Sequence, residues 1–195
     1  SSSGGSSQGQ DDEQDSDDYY EDDAWKDYQD SSVSHAANDF ITGNAGMMSA
    51  EEREAVNAAI AAFKDEYITD DMTDFEKEIL IIKWLVENCE YESAEGWSRS
   101  TAYSCIVEGR AQCAGYADAF LQTAKACGLD ARYVYNTDHA WNLIELDGSW
   151  YHVDVTWEDP VIRTENDPGY GFEKLRNEYI NLTDEEIQKI RSHKT

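Results

Sequence analysis

A chain of 195 residues has room for one domain of ordinary size and a tail, and its six Trp and twelve Tyr supply apolar mass for a core. The net charge of −27 divides into −10 on the first thirty residues (eleven acids, one lysine) and −17 on the rest (31 acids, 14 bases). So acidic a surface repels nucleic acid and anionic membranes and excludes both as main partners, and no apolar run reaches the ~20 residues of a membrane-crossing helix.

Residues 1–30 are Ser, Gly, Gln and Asp-rich with almost no aliphatic side chain. They bury too little apolar area to offset the entropy of ordering and read as a flexible acidic linker. The chain starts at Ser1 rather than Met. That fits a trimmed or mature form, and from its composition the acidic segment is expected to tether the domain at an extracellular or cell-surface position, anchored through a removed N-terminal segment. Residues 31–48 are an arm or linker whose Phe40, Ile41, Met47 and Met48 are available for packing on the domain. The domain itself spans 49–195.

Ser49-Ala-Glu-Glu52 is a capping box, in which the serine hydroxyl and the glutamate satisfy free backbone amides at a helix start. Val56, Ala59, Ile60 and Phe63 then recur at helical spacing and predict a helix over about 50–64. Thr73-Asp-Phe-Glu76 repeats the signature ahead of Ile79, Ile82 and Val86, predicting a helix over 74–88. Residues 90–99 read as a loop, and Ser100 as the cap of a short helix through Val107 that Gly109 ends. A third long helical pattern runs from Cys113 to Cys127, with Tyr116, Phe120, Leu121 and Ala124 on its buried face and Gly128 as its stop. Its small residues Ala114, Gly115, Ala117 and Ala119 allow close approach to a sheet.

The period then changes to strand. Ala131–Asn136, His139–Leu146 and Ser149–Thr156 are predicted strands, and Asp147-Gly148 between the last two is a strong hairpin signal. A two-residue turn sets Leu146 opposite Ser149, so Asp154 lies opposite Trp141 and His139 opposite Thr156. Alternation puts His139, Trp141, His152, Asp154 and Thr156 on one face, with His139 and Asp154 diagonal neighbours roughly 7–8 Å apart at the backbone. Ala140, Ile144, Leu146, Val153 and Val155 form the other, core-facing side. After Pro160 the chain is irregular; Tyr179–Leu182 reads as a last strand, and Thr183-Asp-Glu-Glu186 caps a C-terminal helix.

Cys89, Cys105, Cys113 and Cys127 include no C-x-x-C pair, which speaks against a zinc ribbon or a thioredoxin-type motif. Disulfides, buried thiols or a catalytic thiol remain, and a Cys89–Cys105 bridge is open if the protein is exported. Cys113 and Cys127, about 21 Å apart along one helix, cannot bridge.

A thiol attacks carbonyls well only as thiolate, a form that helix N-termini and a neighbouring imidazolium favour. Cys113 at a helix start is thus a candidate nucleophile, His139 its base and Asp154 the group that holds the histidine tautomer. Gln112, Tyr103, Trp97, Trp141 and His152 are candidate oxyanion or cleft residues.

Cys-x-Gly-Tyr-Ala at 113–117, His-Ala-Trp-Asn at 139–142 and Trp-Tyr-x-x-Asp-x-Thr-Trp-x-Asp-Pro at 150–160 resemble the transglutaminase-like superfamily, and most of all its bacterial, often surface-exposed members. The resemblance implies a papain-like α+β fold, with the nucleophile helix packed on an antiparallel sheet, and Cys113, His139 and Asp154 as the triad. It implies cysteine-dependent acyl transfer or hydrolysis at amide bonds of protein or cell-wall peptides, the acyl-enzyme resolved by water or by an amine such as a Lys-bearing acceptor. No counterpart of the calcium sites of animal transglutaminases is found, so neither metal nor cofactor is expected. The polar Gln112 departs from an apolar residue commoner before the nucleophile. A different reading of the same chain is a non-catalytic surface module, binding or adhesive, that holds peptide in the cleft.

Overall fold

A computed structural model describes residues 41–137, 139–159 and 179–189. The acidic segment 1–30, Phe40 and the irregular stretch that follows Pro160 lie outside the described residues. The chain is a mixed α+β structure built on a three-stranded antiparallel sheet.

Helix α1 (Ala50–Tyr67) starts at the Ser49 capping box, whose two reciprocal bonds both form (3.1 and 3.3 Å). It runs a turn past the expected end because nothing stops it before the extended Ile68. Helix α2 (Asp74–Asn88) begins where Thr73 accepts the Glu76 amide and presents Ile81, Ile82, Leu85 and Val86 to the core. Residues 90–99 are not all loop. Strand β1 (Glu90–Tyr91) pairs in parallel with β2 (Arg110–Ala111), a two-residue ladder that brings the chain back to the start of the next helix. Between them the short helix is wound as a π turn at Ser104–Glu108; Thr101 rather than Ser100 hydrogen-bonds its first amide, and left-handed Gly109 (φ 76°) ends it.

Helix α3 (Cys113–Ala126) is the central element, and left-handed Gly128 (φ 81°) closes it. Gly115 is where it approaches its neighbours most closely. A Cβ there would stand 2.7 Å from the Arg99 carbonyl oxygen and 2.7 Å from the Ala111 Cβ. The sheet has the order β3 (Ala131–Tyr135), β4 (Ala140–Leu146), β5 (Ser149–Val153). The β4–β5 register runs from Leu146 opposite Ser149 to Asn142 opposite Val153, as the Asp147-Gly148 turn requires. Ala140, Ile144 and Val153 pack with α3 in the main core, where Asn142 donates to the Ala117 carbonyl (2.9 Å). The other face carries a smaller cluster of Val134, Trp141 and Leu143, against which Ile41 and Trp150 pack.

Two expected strand ends are cut short, and both matter for the site. Strand β5 stops at Val153 because the Asp154 carboxylate accepts the Trp157 amide (3.1 Å) and starts a single helical turn, α4 (Val155–Glu158). Thr156 therefore lies in a helix, and the ladder never reaches a His139–Thr156 pair. His139 precedes β4, its amide bonded to the Asn136 side chain (2.8 Å). Tyr179–Leu182 makes one bridge, His152 to Leu182, rather than a full strand, and leads into α5 (Asp184–Gln188), capped by Thr183.

Residues 41–48 lie along α3. Gln122 and Lys125 donate to the carbonyls of Thr42 and Ile41, and the Asn44 amide donates to the buried Asp118 carboxylate (2.8 Å). Asp118 also accepts the Ala102 amide (2.7 Å), so one helix residue fastens both the arm and the 100–103 turn. Met48 is buried and Met47 exposed.

Candidate active site

Cys113 is the first residue of α3, partly buried, with extended Gln112 as the N-cap. The amides of Gly115 and Tyr116 turn back to the Gln112 carbonyl (2.9 and 3.2 Å). Those of Cys113 and Ala114 come too early in the helix to have an intrahelical acceptor, and the Gln112 side chain does not cap them. They are a pair of N–H donors beside the thiol.

His139 faces this helix start from the head of β4. Its Nε2 lies 2.5 Å from Asp154 Oδ2, and it also hydrogen-bonds the Cys113 thiol. With Nε2 given to Asp154, Nδ1 is the nitrogen left for sulfur. Asp154 is fully buried and tightly held: one carboxylate oxygen takes His139, the other the Trp157 amide, and its own amide donates to the Tyr179 carbonyl (2.9 Å). Burial alone would push the His139 pKa down. The hydrogen bonds to Asp154 and Cys113 and the attraction of their negative charge outweigh it, and the pKa is raised to about 10. At neutral pH the ring therefore holds a proton readily.

Cys113 and His139 open onto a cleft of about 440 Å³ walled by Trp97, Tyr133, Tyr135, Asn44, Ser100 and Asn136. Trp97 (55 % exposed) and Tyr135 (39 % exposed) form its aromatic rim. A larger hollow of about 620 Å³ sits at the far, hairpin end of the sheet, between Phe75, Asp147 and Asn181, away from the thiol.

The structure thus brings Cys113, His139, Asp154 and Trp97 to one place and puts the other sequence candidates elsewhere. Gln112 is not directed at the cleft; its side-chain amide donates to Ser100 Oγ (2.6 Å) and accepts the Ala94 amide (3.4 Å), fastening the 94–100 loop instead. Tyr103 packs against the main core. Trp141 and His152 are fully buried behind His139, on the sheet face turned away from α3, and do not line the cleft. Alternation does put them on one face, but His139 leaves the strand and so reaches around to α3. Tyr116 is buried too, its hydroxyl bonded to Asp159 (2.5 Å) and to the Cys89 carbonyl (3.1 Å). Cys89, Cys105 and Cys127 are buried free thiols; Cys105 hydrogen-bonds Cys89, with no bridge between them. Among the described residues no cluster of His, Cys, Asp or Glu has the form of a metal site, and no helix is long and apolar enough to cross a membrane.

Asn44, Ser100, Tyr133, Tyr135 and Asn136 were not expected in the cleft. The two tyrosines alternate on β3 and so share a face, a signal present in Ala131–Tyr135. That this face meets the nucleophile depends on β3 lying on the far side of β4.

Residues 61–155 match the profile described as Transglutaminase-like superfamily. The chain is similar to the human and mouse proteins named Kyphoscoliosis peptidase, 27% identical over 143 residues and 26% over 148. These matches cover 61% and 66% of this chain but only 21% and 22% of those proteins' length. Among solved structures it is similar to a TGase (TM-score 0.47, 13% identity, covering 78% of this chain and 42% of the other). It is also similar to a candidate cysteine protease of Cytophaga hutchinsonii (TM-score 0.44, 19% identity, covering 59% and 45%). The three motifs around Cys113, His139 and Asp154 lie within or at the edge of the matched segment, so that residues 61–155, just under half of the chain, carry the match to the transglutaminase-like superfamily.

Proposed function

We propose that the protein is a cysteine-dependent acyltransferase or hydrolase acting on amide bonds of a protein or peptide. The observation that carries this reading is the 2.5 Å His139–Asp154 contact placed beside a thiol at the start of α3, on the wall of an open cleft. The thiol proton already rests on His139 Nδ1 when Sγ attacks the carbonyl carbon. The negative oxygen that forms is met by the Cys113 and Ala114 amides, aided by the positive end of the fourteen-residue helix. The imidazolium then gives its proton to the leaving amine, the C–N bond breaks, and a thioester on Cys113 remains. An entering water or amine loses a proton to His139 and attacks that thioester, which regenerates the thiol. Asp154 keeps the ring in the tautomer that leaves Nδ1 for sulfur and stabilises its charged form.

The relatives named as peptidases support the hydrolytic branch, with water as acceptor. A Lys-bearing peptide is the amine acceptor that the acidic surface favours. The wild type should release amine from a glutaminyl or peptide substrate, and Cys113→Ala should abolish it. At pH 7, iodoacetamide should alkylate Cys113 ahead of the three buried cysteines, and His139→Ala should slow that reaction at least tenfold. An unreactive Cys113 in a folded protein that still binds peptide overturns the enzymatic reading in favour of a binding module.

A further inference from the structure

The His139–Asp154 hydrogen bond fixes one edge of the imidazole but not its plane. The Cys113 thiol takes the other nitrogen, and two indoles lie against the ring with centroids 5.8 Å away, Trp157 tilted at 49° and Trp141 nearly parallel. Trp141 is the one that stacks on it. Its indole lies nearly parallel to the imidazole, with centroids 5.8 Å apart and an interplanar angle of 18°. An offset stack of this kind orients the ring and favours its cationic form.

The indole is held in turn. Its Nε1–H is buried and can only donate, and it donates to His152 Nδ1 (2.9 Å). That nitrogen accepts only when the His152 proton sits on Nε2. Asp184 Oδ1, 2.6 Å from Nε2, selects this tautomer. With the other tautomer two N–H groups would point at each other, and the indole would have to move. The backbone reinforces the connection: His152 and Leu182 exchange both amide bonds (2.7 and 2.9 Å), and Tyr179 accepts from Asp154. Asp184 lies outside the matched segment 61–155, at the start of α5.

We propose that Asp184 and His152 are positioning residues for His139, acting through the plane of Trp141, so that the segment 179–188 completes the active site. This rests on the reading of Cys113 and His139 as the reactive pair.

The test uses the full chain and the variants Asp184→Asn, Asp184→Glu, Trp141→Phe and the double variant Asp184→Asn/Trp141→Phe. Iodoacetamide reactivity of Cys113 at pH 7 is read by mass spectrometry, and the imidazoles of His139 and His152 by 15N NMR. Asp184→Asn is expected to move the His152 proton to Nδ1, shift the His139 resonances and slow Cys113 alkylation about five- to tenfold. Asp184→Glu is expected to restore much of the rate. Trp141→Phe keeps a stacking ring but needs no acceptor, so Asp184→Asn should cause no further slowing in that background. Two results would overturn the inference: a lower Tm for Asp184→Asn with the alkylation rate and His139 resonances unchanged, or equal slowing with and without Trp141. If wild-type Cys113 is unreactive and indifferent to His139→Ala, the proposed function fails instead, and the His139 resonances of Asp184→Asn decide the positioning role alone.

Discussion

At the scale of single residues, two buried ionisable groups have raised pKa values for different reasons, and both make the fold less stable as pH rises. His139 is held protonated by Asp154 and Cys113, with a pKa raised to about 10 against an ordinary value of 6.5. The stability it contributes is fully present below pH 6.5 and is lost as pH rises through about 10. Asp154→Asn removes the carboxylate charge, so the His139 pKa should fall by at least one unit in an NMR titration and Cys113 alkylation at pH 7 should slow with it. Glu78 shifts in the same direction for a different reason, because burial favours its neutral form. It is fully buried on α2, with one oxygen accepting from Asn181 (3.0 Å) and the other without a partner among the described residues. Burial raises its pKa to about 7, which the Asn181 bond opposes. A carboxyl with a raised folded pKa favours folding while it is neutral in both states. That advantage declines as pH rises from about 4.5 and is gone above 7. Glu78→Gln keeps an acceptor for Asn181 and carries no charge. It should raise stability at pH 8 by about 2–3 kcal/mol, with little gain at pH 4.5, in urea melts at the two pH values.

At the scale of elements, Gly115 shows how little space the nucleophile helix leaves. An added Cβ meets a backbone oxygen, that of Arg99, which already accepts the Gln112 amide (2.9 Å). Backbone cannot rotate away as a side chain would. Gly115→Ala should lower stability by about 1–3 kcal/mol, seen as a Tm drop of several degrees, and slow Cys113 alkylation because Gln112 precedes the thiol. The same elements show what was legible beforehand. The Ser49 capping box, α2 and the hairpin register were readable because each follows from local chemistry: a hydroxyl and a carboxylate three residues apart, a stripe at 3.6, a left-handed Asp147-Gly148 turn; at Thr73 and Thr183 the same signature gives the hydroxyl cap without the reciprocal carboxylate bond. The proximity of His139 and Asp154 follows from that register. The end of β5 was not readable, since Val153, Val155 and Thr156 favour strand, and the Asp154 cap wins only because His139 and Tyr179 hold it from distant parts of the chain. The cleft walls were hidden for the same reason. Asn44 reaches Ser100 across 56 residues, and Gln112 is turned from the cleft by a loop whose path no local pattern sets.

At the scale of the whole molecule the dominant quantity is charge. The net −27 includes −17 outside the first thirty residues, so self-repulsion opposes the compact state however the acidic segment is arranged. Few of these acids are neutralised locally. Among the described residues the ion pairs of Arg and Lys all involve an exposed carboxylate, such as Glu92 with Arg99 and Arg110, and contribute little each. Screening should therefore stabilise the fold. Raising NaCl from 0.01 to 0.15 M shortens the Debye length from about 30 to about 8 Å, and Tm should rise over that range. The same field should steer ligands. Apart from Cys113 and His139 the cleft wall carries no charged side chain among the described residues, so charge discrimination falls to the surface around it, and encounter rates should depend on the partner's sign. A Lys-rich peptide should associate with Cys113→Ala faster than a Glu-rich peptide of equal length, and the difference should shrink by about tenfold or more across that salt range in stopped-flow fluorescence of the exposed Trp97. Equal, salt-independent association rates would mean that the long-range field plays no part in choosing the partner, and that selection rests on the aromatic rim alone.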